Sequence, residues 1–325
     1  MNGFIRQFKY QGKDLEQIFK KVDYNFDSGK ATLLLSFDRD DIDKEEIKKE
    51  LEAFLLNDPE IDTTDISFTD FREHEKALNS VLNRDDVLYI LVSSGKGGVG
   101  KSSVSANLAV QFKDKGYKVA LIDCDIYGSS IPNIFGVDSY VPRVKDNILE
   151  AAHVDGIDIV SVDFLVDADK PIVWRGPMLN RALGHFFYYT KYSEGVNVVI
   201  VDLPPGTGDI PLDLVKIIPQ AFQLVVTTPD LNAAAIAIKA GEMAKQMKHT
   251  TLGVIENMSY YDHKGERINV FGQGGGQQVA DKLDVPLLAQ IQIDKPNNGS
   301  TYTKDENNYS IYSELVDKII KNSQS

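Results

Sequence analysis

The stretch Val87–Ser103, VLYILVSSGKGGVGKSS, constrains this chain more than any other. The apolar run from Val87 to Val92 predicts a buried strand, and glycines follow at Gly95, Gly97, Gly98 and Gly100. Lys101 and Ser102 complete G-x-x-x-x-G-K-[ST], the pattern of a loop that cradles phosphates. Each residue type has a physical reason. Glycine lets successive main-chain N–H groups converge on a polyphosphate. A helix beginning near Ser102 adds the positive end of its dipole. Lys101 supplies a mobile charge for the β- and γ-phosphates, and the Ser102 hydroxyl can ligate magnesium. Val104, Leu108, Ala109 and Phe112 then share one helical face, and Gly116 sits where that helix would stop. Strand, glycine loop and helix come in the order the motif requires. The whole segment Gly95–Ser103, Val99 and Ser103 included, is the expected cradle.

Lys96 is a second lysine within the loop. An ammonium buried beside Lys101 is costly unless an anion lies between the two. That cost disappears if Lys96 reaches a nucleotide bound by a second copy of the chain, as an arginine finger does in trans. A solvated loop lysine is the plainer alternative.

From Val87 onward strands and helices alternate, the pattern of a doubly wound, mostly parallel α/β sheet. Strands are expected over 87–93, 118–123, 157–163, 197–202, 222–227, 251–256 and 286–291. Helices are expected over 102–115, 177–191, 231–247, 274–283 and 309–321. Runs such as Val198–Val201 suit strands covered on both faces. Residues 1–71 read as a separate small α+β domain. Leu15, Ile18, Phe19 and Val22 have helical spacing, 31–37 and 64–68 are strand-like, and 41–57 is an amphipathic helix ended by Pro59. Residues 72–86 read as a polar linker or short helix, with His74 exposed.

The formal charge is −13, which disfavours non-specific binding to nucleic acid or an anionic membrane. A single cysteine, Cys124, allows no intrachain disulfide and suits a reducing cytoplasm. No basic-then-apolar leader is read at the N-terminus, and no apolar run approaches a membrane span.

Ligand sites in such sheets lie at the carboxyl ends of the strands. Asp123 and Asp125 follow the second strand of the main domain. Asp125 is the candidate to orient or deprotonate an attacking water, and Asp123 lies near the magnesium; capping a turn is the alternative for both. Asp202 ends the strand before Leu203-Pro204-Pro205-Gly206-Thr207-Gly208-Asp209, where it would hold magnesium directly or through water. The Gly206 N–H could sense the γ-phosphate and release its loop on hydrolysis. His153, His185 and His249 show no metal spacing.

GKGGVGKSS, DCDIYGSSIP, WRGPM (174–178), VDLPPGTGD (201–209), GVIENMS (253–259) and FGQGGG (271–276), in this order, resemble the Mrp-type ATPases, the iron–sulfur cluster carrier family. This is a P-loop group with a second loop lysine, akin to cell-division-site and partition ATPases. The N-terminal domain more weakly resembles an iron–sulfur assembly domain. The resemblance implies ATP and magnesium as cofactors and an ATP-sandwich homodimer with Lys96 acting in trans. It implies phosphate and magnesium contacts from Lys101 and Ser102, Asp125 in a first switch and Asp202 in a second. By the same analogy Asn257 contacts adenine, and Trp174 and Arg175 match the WRGP segment. It further implies hydrolysis of ATP in the assembly or transfer of iron–sulfur clusters to apoproteins. Members that carry a cluster have Cys-x-x-Cys shortly after the ENMS segment. This chain lacks it, and Lys264 stands where the second cysteine would align. A cluster-free, nucleotide-gated module that binds or positions a partner is the alternative.

Overall fold

A computed structural model of the chain describes residues 5, 7–19, 21–27, 29–37, 42–70, 86–126, 128–145, 148–165, 183–206, 221–246, 249–297 and 299–324. The chain divides into two compact units, Met1–Asn79 and Ser80–Ser325. In the first, strands β1 (Lys21–Asp27) and β2 (Lys30–Phe37) pair antiparallel, and β3 (Thr63–Asp70) adds parallel to β2. Helix α1 (Lys44–Leu55) begins at Asp43, whose side chain accepts from the Glu46 N–H at 3.0 Å, and buries Ile47, Leu51 and Leu55. The helical spacing from Leu15 to Val22 yields only the four-residue helix Leu15–Ile18, and Val22 lies in β1. The spacing fits the helical period, but pairing with β2 from Lys21 onward takes Val22 into a strand.

The second unit is built on an eight-stranded sheet. Its main elements in chain order are β4 (Leu88–Ser94), α2 (Lys101–Asp114), β5 (Val119–Asp123), β6 (Ala152–Val154), β7 (Ile157–Ser161), β8 (Val198–Asp202), β9 (Phe222–Thr227), α3 (Leu231–Gln246), β10 (Thr250–Glu256), the hairpin β11 (Tyr261–His263) and β12 (Glu266–Ile268), α4 (Gly275–Leu283), β13 (Leu287–Gln290) and α5 (Asn307–Ser323), beside a short helix Ile131–Phe135 and a small sheet of Val144–Lys145, Ile148–Glu150 and Thr190–Lys191. The sheet order is β6-β7-β5-β8-β4-β9-β10-β13, with every pairing parallel except the β6 edge. The seven expected strands are all present. The antiparallel edge β6 and the hairpin were not expected, because each is too short to carry a readable period.

Alternation along β4 divides the core. Ile90 and Val92 face α2 and α5, packing with Val104, Leu108, Phe112, Leu315 and Ile319. Tyr89 and Leu91 face the other layer with Val199, Val201, Phe186 and Phe187. Residues 183–188 supply the described helical part of that layer. Gly116, at φ +91°, ends α2 as expected, with its N–H on the Lys113 carbonyl.

Candidate functional site

The sheet brings the site together through register. Asp202 on β8 lies opposite Asp123 on β5 and Val92 on β4, so two carboxylates stand side by side where the glycine loop leaves the sheet. The loop then turns into α2 through Gly100, whose φ of +81° favours glycine. A second glycine is required by close approach: a Cβ on Gly95 would strike the backbone of α3 at Ile236 and Ala237. The first turn of α2 holds no acidic residue, which leaves its N-terminal N–H groups available to an anion. A cavity of about 370 Å³ opens beside it, lined by Gly97, Gly98, Gly100, Lys101, Ser102 and Asp125 among others.

Lys101 is 5% exposed. Its Nζ donates to Asp202 Oδ2 at 2.7 Å and lies 3.5 Å from Asp125 Oδ2. Burial opposes its charge, but the carboxylates of Asp202, Asp125 and Asp123 more than offset this and raise its pKa. Ser102 Oγ donates to Asp202 Oδ2 and Ser105 Oγ to Asp202 Oδ1, each at 2.6 Å. Ser105 was not singled out from sequence, although it lies one helical turn beyond Lys101 and so on the same face. Asp123 accepts from Ser129 Oγ at 2.6 Å, Ser161 Oγ at 3.2 Å and the Asp125 N–H at 3.1 Å. Burial, then the neighbouring Asp202 charge, pushes the Asp123 carboxyl up to about 7. Lys101 thus pairs with two carboxylates, Asp125 at the cavity wall and Asp202 buried behind it, with Asp123 beside Asp202. The arrangement suits a ligand that brings both negative phosphate to Lys101 and a divalent cation to the acids. Among the described residues no three His, Cys, Asp or Glu side chains form a ready metal cage.

Three expected residues make contacts that the sequence reading did not name. Lys96 is not buried beside Lys101: its side chain is 44% exposed and its Nζ lies 3.6 Å from Asp230 Oδ1. Asp230 also caps α3, accepting from the Ala233 N–H at 2.8 Å. The charge-burial argument for Lys96 therefore does not hold in the single chain. The Gly206 N–H donates to the Ser94 carbonyl at 2.8 Å, so facing a phosphate requires that bond to break. Asn257 is 8% exposed and turned towards the loop, its Nδ2 donating to the Val99 carbonyl at 2.9 Å. Trp174, Arg175, Thr207, Gly208, Asp209, His74 and the linker before Asp86 lie outside the described residues.

Cys124 is fully buried in the second core layer. Burial, then the charges of Asp123 and Asp202, pushes its thiol well above the usual range. Lys264 and Gly265 form the turn of the exposed β11–β12 hairpin with φ of +53° and +88°, as a type I′ turn demands.

Fold and site together define a P-loop nucleotide-binding α/β protein. The family model described as NUBPL iron-transfer P-loop NTPase matches residues 87–322. The iron–sulfur cluster carrier protein of Bacillus subtilis is 42% identical over 247 residues, 75% of this chain and 68% of that protein. That of Mycobacterium leprae is 44% identical over 210 residues, 62% of this chain and 54% of that protein. A nucleotide-binding protein from Archaeoglobus fulgidus, solved in complex with ADP and with cobalt, superposes with a TM-score of 0.58 at 32% identity, covering 75% of this chain and 90% of that one. The chain belongs to the NUBPL iron-transfer P-loop NTPase family.

Proposed function

We propose that the chain is an ATP-hydrolysing switch that works as a homodimer in the assembly of iron–sulfur clusters or their transfer to apoproteins. The observation that carries this reading is Lys101, held charged on Asp202 and Asp125 at the mouth of an open glycine loop. An arriving triphosphate offers the ammonium a second anion and draws it from the acids. Ser102 and the freed carboxylate of Asp202, with Asp123 behind them, would hold the magnesium that accompanies the nucleotide, which would neutralise phosphate charge. The loop from Gly95 to Ser103 wraps the phosphates through its N–H groups. Asp125 orients the attacking water. Asn257 flanks the adenine. The Gly206 N–H exchanges the Ser94 carbonyl for the γ-phosphate and returns when that phosphate leaves, which is an order–disorder switch. Lys96, exposed and only loosely held by Asp230, swings to the nucleotide of the partner copy.

The cluster is cargo in this reading, and the chain's own thiol does not fit it. Clusters are held by thiolates, whereas the chain's single cysteine is enclosed in the core with its thiol kept protonated. We therefore place the cluster's ligands on the client or assembly partner. Among the described residues no helix is long and apolar enough to cross a membrane. The formal charge of −13 supports a site of action away from nucleic acid and anionic membranes, which we place in the cytoplasm. Hydrolysis measured against protein concentration tests the switch. Turnover per chain should rise with concentration and fall in Lys96→Ala while ATP binding persists. Turnover independent of dilution, or unchanged in Lys96→Ala, rejects the trans lysine.

A further inference from the structure

We propose that Asn257 is a positioning residue for the phosphate loop, aiming the Gly100 N–H into the cavity; this rests on the reading of that loop as the phosphate site. Asn257 follows the last residue of β10, and its own N–H donates to the Thr227 carbonyl at 2.8 Å, which keeps it in line with β9. Its side chain crosses to the loop and donates from Nδ2 to the Val99 carbonyl. The Val99 side chain is in turn buried in the core against α2. The Val99–Gly100 peptide is thus fixed at two points. A trans peptide is planar, with its C=O and N–H pointing in opposite directions. Holding the carbonyl on Asn257 therefore turns the Gly100 N–H the other way, towards the cavity that Gly100, Lys101 and Ser102 line.

Gly100 completes the fit. A Cβ there would collide with Asn257 Nδ2, so the amide occupies space that only glycine leaves open. The anchor behind it is firm. Neighbouring Glu256 is 1% exposed and accepts from the Gly276 N–H at 2.6 Å, Ser259 Oγ at 2.6 Å and Gln290 Nε2 at 2.9 Å. One strand end thereby fixes both the start of α4 and the phosphate loop. Without the Asn257 amide the Val99 carbonyl loses this partner, and the peptide is free to rotate its oxygen towards the anion.

This duty separates from any contact with the base. Inorganic tripolyphosphate has no base, so a residue that touches only adenine does not affect its binding. Calorimetric titration of the full chain with Mg-ATP and with Mg-tripolyphosphate tests the assignment in Asn257→Asp, which sets oxygen against oxygen, and in Asn257→Ala. Tripolyphosphate should weaken on the order of tenfold, the worth of one lost hydrogen bond, and ATP by at least as much. In the nucleotide-free protein, amide exchange over residues 97–102 should quicken, with thermal melts confirming that at least one variant is folded. Weakened ATP with undiminished tripolyphosphate overturns the proposal, as does unchanged exchange over the loop. Lys101→Ala serves as the control. If it binds both ligands as well as the original chain does, the phosphate-site reading itself has failed, and not merely the role of Asn257.

Discussion

Replacing Lys101 tests whether its ammonium is what holds three acids together at the end of the sheet. The residue is 5% exposed, with Asp202 at 2.7 Å and Asp125 at 3.5 Å, while Asp123 neighbours Asp202 in register. Removing one partner of a buried pair leaves an uncompensated charge and costs ~3–5 kcal/mol. In a unit of this size each 1 kcal/mol lowers the melting point by ~2–4 °C. Lys101→Met should therefore lower the melting of the larger unit by roughly 10 °C at neutral pH. Asp202→Asn removes the charge left unpaired and keeps an acceptor for one of Ser102 and Ser105, while its amide NH2 donates to the other hydroxyl, so the double variant recovers part of the loss. The coupling between the two positions should be about 1 kcal/mol or more. The pH dependence has a definite sign. The Lys101 charge is one of the influences that hold the buried Asp123 carboxyl down, so without it that carboxyl is pushed further above its usual range. The deficit is then smallest in acid and grows as pH rises through the range of Asp123. Calorimetric melts of the four proteins across pH 5 to 8 measure it. Additive losses, or a deficit that grows in acid, refute the reasoning.

Three further outcomes follow from individual contacts. The Asp123 carboxyl, raised to about 7 by burial and by Asp202, binds its proton more tightly in the folded state. Its contribution is fully present near pH 4 and is lost as pH climbs towards 7, so Asp123→Asn should flatten the decline in melting point across that window. Cys124 is enclosed and its thiol kept protonated, so a thiol reagent should label it only on unfolding; rapid labelling of the native chain contradicts its place in the core. A Cβ on Gly276 would lie 2.6 Å from the Glu256 Cβ. Gly276→Ala should accordingly cost ~1–3 kcal/mol through overpacking, read by denaturant unfolding.

Much of the larger unit was legible because its strands are short apolar runs separated by helices with clear endings. Val198–Val201 can only be a strand covered on both faces, and Gly116 ends α2 as expected. The loop from Gly95 to Ser103 was legible because main-chain geometry at a phosphate dictates residue type. What surrounds it was not. Ser161 reaches Asp123 only because β5 and β7 lie side by side, a pairing that no local pattern announces, and Ser129 reaches it from the segment that follows β5. Asp230 holds Lys96 across 134 positions of chain, from a cap whose second use depends on how α3 meets the loop. The sequence argument for Lys96 assumed burial, and its observed exposure shows that a motif fixes the backbone path more firmly than the direction of a long side chain. Asn257 was read as a base contact, and nothing in the pattern ENMS indicates that its amide reaches Val99.

Equilibrium binding of Mg-ATP to the original chain and to Lys101→Ala bears most directly on the claim that this loop grips a triphosphate. The account predicts saturable binding of one nucleotide per chain, weakened between tenfold and a hundredfold or so when the charged donor is removed. Equal affinity in the two proteins, or no uptake by the original chain, contradicts it.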